Sequence, residues 1–134
     1  MLDHLRQKIV EAILSTHSAT LATYGPAGLQ ASQLPCESIG LRFFMLLPAT
    51  SDHLLNLETR PEVTVNTARW QLRGTAAILE NENYPLVLGL RSKPEAQWGR
   101  LVEIFPTQFN LRRTDGLDFS ETIDVDYLLD ESGR

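Results

Sequence analysis

Few residues in this chain are of a type and spacing that could do chemistry. His4, His17 and His53 lie far apart in sequence, without the short spacings of a zinc site. Cys36 is the single cysteine, so it can form neither an internal disulfide nor a thiolate cluster. Placed in mid-strand, it reads as a small buried residue rather than a nucleophile. The run Thr50-Ser51-Asp52-His53 is more informative, because Thr50 or Ser51 can cap a helix start. Read alone, Ser51 is a cap and His53 faces solvent. Trp70 and Gln71 stand together, an aromatic body beside an amide. Asp115 and Asp118 sit in a glycine-containing turn. No Ser-His-Asp set, phosphate loop or paired-carboxylate pattern stands out.

The elements that must position these residues follow from the hydrophobic period. Leu2, Leu5, Ile9 and Ile13, separated by charged residues, predict an amphipathic helix of about four turns. Strands are predicted over Ala19–Tyr24, Leu29–Glu37 and Leu41–Leu47, joined by the turns Gly25-Pro26-Ala27-Gly28 and Ser38-Ile39-Gly40. Pro48 ends the third strand, and Pro61 ends the short helix that Thr50 or Ser51 begins. Val63–Thr67 reads as a strand. Trp70–Ile78 alternates strictly, with Trp70, Leu72, Gly74, Ala76 and Ile78 on one face. Tyr84–Arg91 is ambiguous, and Ser92-Lys93-Pro94-Glu95 reads as a helix start. Leu101–Phe105 and Thr107–Arg112 read as two strands broken at Pro106, followed by an acidic tail with loose last residues. Six or seven short strands with tight turns predict a closed or nearly closed antiparallel barrel.

Composition excludes several classes. The chain has 134 residues, 43% hydrophobic and 22% charged, which fits one domain with a genuine core. A net charge of −5 with scattered Lys and Arg argues against nucleic acid as a partner. No apolar run spans a bilayer, no secretory signal opens the chain, and no membrane partner is expected. A lone cysteine makes the cytoplasm the expected location.

Ser18-Ala19-Thr20-Leu21-Ala22-Thr23, then Gly28, then Ala31-Ser32-Gln33-Leu34-Pro35 resemble the opening strands of the pyridoxamine 5′-phosphate oxidase-like proteins. Ser51–Leu57 with Arg60-Pro61 is similar to their short helix, and Val63-Thr64-Val65 with Trp70–Ala76 to the two strands that follow. Val102–Phe109 is similar to their last strand pair around a proline. The resemblance covers about residues 5 to 113. It implies a mainly β fold: a six-stranded antiparallel split β-barrel with flanking short helices, one domain over 1–134. The barrel would occupy about 17–113, with an acidic C-terminal tail over 115–134. It further implies a homodimer with FMN at the interface.

Carried onto this sequence, the resemblance marks Thr50, Ser51 and His53 for the cofactor phosphate, since a helix start offers free N–H groups and partial positive charge. His53 stands where the oxidases carry a lysine. Ser32, Gln33 and Leu34 match the strand beside the flavin ring. Trp70-Gln71 resembles the Arg-Gln pair whose Gln contacts the cofactor; Trp70 could pack against a ring, but its residue type favours core or interface packing. Two features depart from the family. Ala31–Glu37 contains no cation where the oxidases have an Arg and a Lys, leaving Arg42, Arg60 or Arg73 as substitutes. No match to the family's C-terminal Trp and Arg follows Asp115, so pyridoxine-type oxidase activity is not expected. The implied function is an FMN-binding, flavin-dependent oxidoreductase with a small-molecule substrate. The alternatives are a cofactor-free dimeric binding module and a heme-handling relative using His17 or His53. Phe43, Phe44, Met45 and Trp70 are the expected apolar residues of the dimer interface.

Overall fold

The computed structural model describes residues 2–40, 42–80, 89–92, 98–112 and 119–124, with the side chains of 2–6, 91–92, 112 and 119–124 left out. The side chains of Leu2 and Leu5 and the expectations for Tyr84, Lys93-Pro94-Glu95, Arg113, Asp115, Asp118 and the final residues therefore lie outside what is described. The chain runs α1 (Leu2–Leu14), β1 (Ser18–Thr23), β2 (Gln30–Ile39), β3 (Arg42–Pro48), α2 (Asp52–Thr59), β4 (Glu62–Asn66) and β5 (Trp70–Ile78). A 3-10 turn (Gly89–Ser92), β6 (Gly99–Arg112) and β7 (Phe119–Asp124) follow.

All strand pairs are antiparallel, in the order β3-β2-β1-β4-β5-β6-β7, and β3 also pairs with β6. Six strands thus close into the barrel expected from the sequence. The β1–β2 turn is held by Gly28 N–H donating to Gly25 O at 2.8 Å, and Gly28 has φ +83°, which a side chain would resist.

The 99–112 segment differs from the two strands expected. It is one strand of 14 residues that runs through Pro106. Pairing with β3 ends at Ile104 and pairing with β7 begins at Gln108, so β3 and β7 occupy the same edge of β6 in succession. Pro106 falls in the unpaired gap between them, where a strand tolerates a residue that cannot donate. On the other edge, Arg73 pairs with Gln108 and Gly74 with Pro106, leaving Thr107 as an extra, bulged residue. Thr107 Oγ1 donates to Arg73 O at 3.2 Å and fixes the bulge.

Alternation fills the barrel. Ala19, Leu21 and Thr23 of β1, Val63 and Val65 of β4, and Trp70, Leu72 and Ala76 of β5 are buried. Trp70 stacks on Phe109 (centroids 5.4 Å) and meets Phe43 edge-on (5.8 Å). Its Nε1–H donates to Thr16 Oγ1 at 3.1 Å, tying the α1 end of the barrel to β5. Ile9 and Ile13 of α1 are buried in the same core. Phe44 and Leu46 point the other way and are covered by Leu90 and Leu101. Phe43, Phe44, Met45 and Trp70 are therefore buried within their own chain, and the apolar interface expected from them is not available to a partner.

The β5–β6 approach is close enough to test. A Cβ on Gly74 would collide with the backbone carbonyl of Phe105 and lie 2.9 Å from Pro106 Cα, atoms that cannot swing aside. Gly74→Ala should destabilise the protein by about 2–3 kcal/mol, read as a lowered midpoint in urea unfolding. An unchanged midpoint would contradict the bulge geometry.

Candidate functional site

Ser51 is the N-cap of α2, with φ −66° and ψ 137°. Its Oγ accepts from His53 N–H at 3.1 Å, and its carbonyl accepts from Leu54 N–H at 3.1 Å. The first turn is thus closed by its own cap, and two of its amide donors are already engaged. Thr50 is exposed beside it.

His53 does not face solvent. It is 2% exposed and turned into the mouth of the barrel. Its Nδ1 lies 2.8 Å from Thr23 Oγ1 and its Nε2 lies 3.0 Å from Ser32 Oγ. Asn56, one turn further along α2, donates through Nδ2 to Thr23 Oγ1 (3.0 Å) and to Gly28 O (2.9 Å). Asn56 Oδ1 accepts from Ala27 N–H at 2.9 Å. Ser32, His53, Thr23 and Asn56 therefore form one continuous network joining β2, α2, β1 and the β1–β2 turn. Burial holds the His53 pKa below the usual imidazole value, with nearby Asp52 acting weakly in the opposite sense. Cys36, by contrast, is inert: burial pushes its thiol up to about 12.

The outer face of the barrel carries a different set. Gln33 pairs with Thr20, Thr20 with Asn66, Asn66 with Gln71, and Gln71 with Asn110. These five outward residues form a row of amides and hydroxyls crossing β2, β1, β4, β5 and β6. The next row is Ala31, Ala22, Thr64, Arg73 and Gln108. Along this second row opens a groove of about 390 Å³, whose lining includes Tyr24, Leu29, Glu62, Thr64, Arg73 and Thr75. Leu29 is 75% exposed on its wall. Of the cations named as substitutes, Arg42 is held by Glu103 through two 2.9 Å bonds, and Arg60 lies over the Tyr24 ring at 5.4 Å. Arg73 lines the groove, and its guanidinium has no partner among the described residues.

The eight candidates thus fall into separate places. Ser32 and His53 meet in the network, with Ser51 capping the helix that carries His53 and Thr50 exposed at its start. Gln33 and Gln71 share the outer row. Leu34 and Trp70 are buried in the core. Sequence reasoning missed Thr23 and Asn56, and in the outer row Thr20, Asn66 and Asn110. Asn56 had a signal: with His53 it places two polar residues on the face of α2 that also carries Leu57. His17, weighed as an iron ligand, is exposed between α1 and β1, and no three His, Cys, Asp or Glu side chains gather as metal ligands among the described residues.

No family model matches the sequence, and no curated protein matches it by sequence. Solved structures do match. General stress protein 26 of Bacillus anthracis has a TM-score of 0.65 at 16% identity, covering 90% of this chain and 98% of its own. A Clostridium acetobutylicum protein related to general stress protein 26, of the pyridoxinephosphate oxidase family, has a TM-score of 0.69 at 14% identity, covering 94% and 98%. HutZ, the heme storage protein of Vibrio cholerae, has a TM-score of 0.56 at 18% identity, covering 78% and 92%. At these identities the likeness establishes the fold, and the resemblance read in the sequence is borne out at that level.

The network predicts a pH dependence. His53 takes a proton less readily when folded than when unfolded, so its contribution is intact above the ordinary imidazole pKa of about 6.5 and is lost as pH falls below it. Urea midpoints should drop between pH 7.5 and 5.5 by more in wild type than in His53→Gln. Equal drops would mean that the buried imidazole is not the group responsible.

Proposed function

We propose that this chain is an FMN-binding member of the pyridoxamine 5′-phosphate oxidase-like group, a dimeric cytoplasmic oxidoreductase acting on a small molecule. The observation that carries the reading is the outer row of Gln33, Thr20, Asn66, Gln71 and Asn110. At ~4.8 Å per strand its four steps span about 19 Å around the barrel, enough to lie along a tricyclic ring. Amides and hydroxyls can both donate and accept, as the alternating N–H and C=O groups of an isoalloxazine edge require. Asn110 Oδ1, in this row, has no hydrogen-bond partner among the described residues. Ala22 and Ala31 beside it leave the sheet surface low enough for a flat ligand to approach.

The residues present fit the ring end of the cofactor. When bound, FMN supplies the hydride and electron transfer. The chain's own part is to bind and orient: Gln33 and Gln71 address the polar edge, while Ser32 and His53 hold the α2 end of the barrel rather than touch the ligand. Leu34 and Trp70 support the strands from inside. A cofactor-free dimeric module is the second reading, and the observation favouring it is the Ser51 cap, which occupies donors that a phosphate would need. A heme reading, suggested by the HutZ likeness, would use exposed His17 or require His53 to give up Ser32 or Thr23.

An absorption spectrum of the purified protein, followed by fluorescence titration with FMN and riboflavin, separates these. Flavin bands or quenching are expected, and Gln71→Leu should weaken both ligands at least tenfold, about 1.4 kcal/mol. A Soret band would favour heme, and no binding at high micromolar concentration would favour the empty module. Dimerisation must use surface other than Phe43, Phe44, Met45 and Trp70; Tyr24, Leu29 and Leu55 are exposed. Sedimentation equilibrium at micromolar concentration should give a dimer, and a strict monomer would remove the interface site.

A further inference from the structure

We propose that Arg73, in the outer groove of β1, β4 and β5, anchors the phosphate of the ligand, in place of the α2 start and a second-strand cation. The proposal rests on the FMN reading above and deepens it by assigning the anion end of the site.

The other positions are committed elsewhere. Ser51 takes the His53 and Leu54 amides with its hydroxyl and carbonyl. The His53 imidazole points into the barrel, with both nitrogens engaged by Thr23 and Ser32. The stretch Ala31–Glu37 offers no cation, and its Glu37 carboxylate accepts from Gly89 and Leu90 N–H groups at 3.0 and 2.9 Å. Arg42 is bound bidentately to Glu103, whose side chain is buried. Arg100 contacts Leu79 O and Glu80. Arg60 rests on Tyr24, at the edge of the groove rather than in the row of Arg73.

Arg73 has what an anchor needs. It is exposed, lines the groove, and stands directly across from Thr64 on the outer face. Its guanidinium can grip a phosphate through two parallel bonds, and Thr64 and Thr75 line the same groove. Thr107 does not compete as a donor, because it gives its proton to the Arg73 carbonyl, which pins the backbone from which the guanidinium extends. Two residues along β5 on the same face, about 7 Å away, Gln71 begins the amide row. Phosphate and ring sites are thereby continuous on one surface. One group opposes the anion: Glu62, directly across from Thr75, puts a carboxylate in the groove.

Opposed charges make opposed predictions. FMN and riboflavin differ only in the phosphate, so titrating both into each variant isolates that end. Arg73→Gln should weaken FMN at least tenfold and leave riboflavin unchanged. Arg73→Lys, which keeps the charge without the fork, should fall between. Glu62→Gln should tighten FMN and leave riboflavin unchanged. Ser51→Ala should not alter the ratio of the two affinities. Circular dichroism of each variant checks that the fold is intact, Arg73 and Glu62 being exposed and Ser51 a helix cap. If both flavins bind but Arg73→Gln weakens them equally or not at all, the anchor is wrong and the flavin reading stands. A change in the FMN-to-riboflavin ratio in Ser51→Ala alone would return the phosphate to α2. If wild type binds neither flavin, both the reading and the anchor fail.

Discussion

Alternation around a closed sheet is the constraint on which the rest of this structure depends. Six strands joined through β3–β6 enclose an interior too narrow for anything but side chains, so every second residue of each strand is committed to filling it. Trp70, Leu72, Val65, Leu21 and Leu34 meet that demand. Their chain neighbours, Gln71, Asn66, Thr20 and Gln33, are sent outward by the same period and assemble into a row that no single strand contains. A one-residue slip would exchange the two sets, which is why the buried face defines the outer one. Adjacent residues such as Trp70 and Gln71 therefore cannot share a role: one builds the frame and the other lies on the outer face.

The α2 end is where the interior stops being apolar. His53 and Asn56 enter a space that Leu54 and Leu57 only partly fill, and burying them is tolerable because each polar atom is matched. Asn56 satisfies Ala27 N–H and Gly28 O, backbone groups that would each be left unpaired at about 1–3 kcal/mol if it were replaced by an apolar residue. Gly25 reflects the same closeness, since a Cβ there would lie 2.8 Å from Asn56 Oδ1. The network locks helix, hairpin turn and two strands together. A histidine held this way orders the scaffold and is poorly placed to meet a charged ligand.

Much of the frame was legible because it depends on local rules. The period of Trp70–Ile78, the Ser51 cap, Pro48 and Pro61 as boundaries and the glycine turns are each written within a few residues. What was not legible depends on partners distant in sequence. Pro106 looked like a strand break because its tolerance comes from the gap between β3 and β7 on one edge of β6. β7 lay hidden in an acidic stretch, for its place is set by the free edge that β3 leaves. Phe44 looked like interface because Leu90, more than forty residues later, is what covers it. For the site, the contact between Ser32 and His53 was not legible from residues 21 positions apart, and Asn66, Thr20 and Asn110 join Gln33 and Gln71 only through the register of five strands.

Fold and ligand chemistry are specified by different residues here, and charge makes the separation plain. Structures at 14–18% identity share the barrel because its interior needs only apolar side chains of suitable volume at alternate positions. A phosphate monoester imposes a stricter condition, since its charge cannot be held against a protein surface without cations or oriented donors. In this chain the second strand supplies none, and the α2 start has turned its donors inward onto Ser51. The barrel closes without either, because its packing depends on the inward side chains. The same freedom lets a cation arise anywhere on the outer face, and Arg73 stands where the bulge at Thr107 fixes the backbone and the groove opens. Set against Glu62 in the same groove, a single guanidinium makes a weaker field than two cations would, so any anion held there depends on the geometry of the fork and the neighbouring hydroxyls more than on net charge.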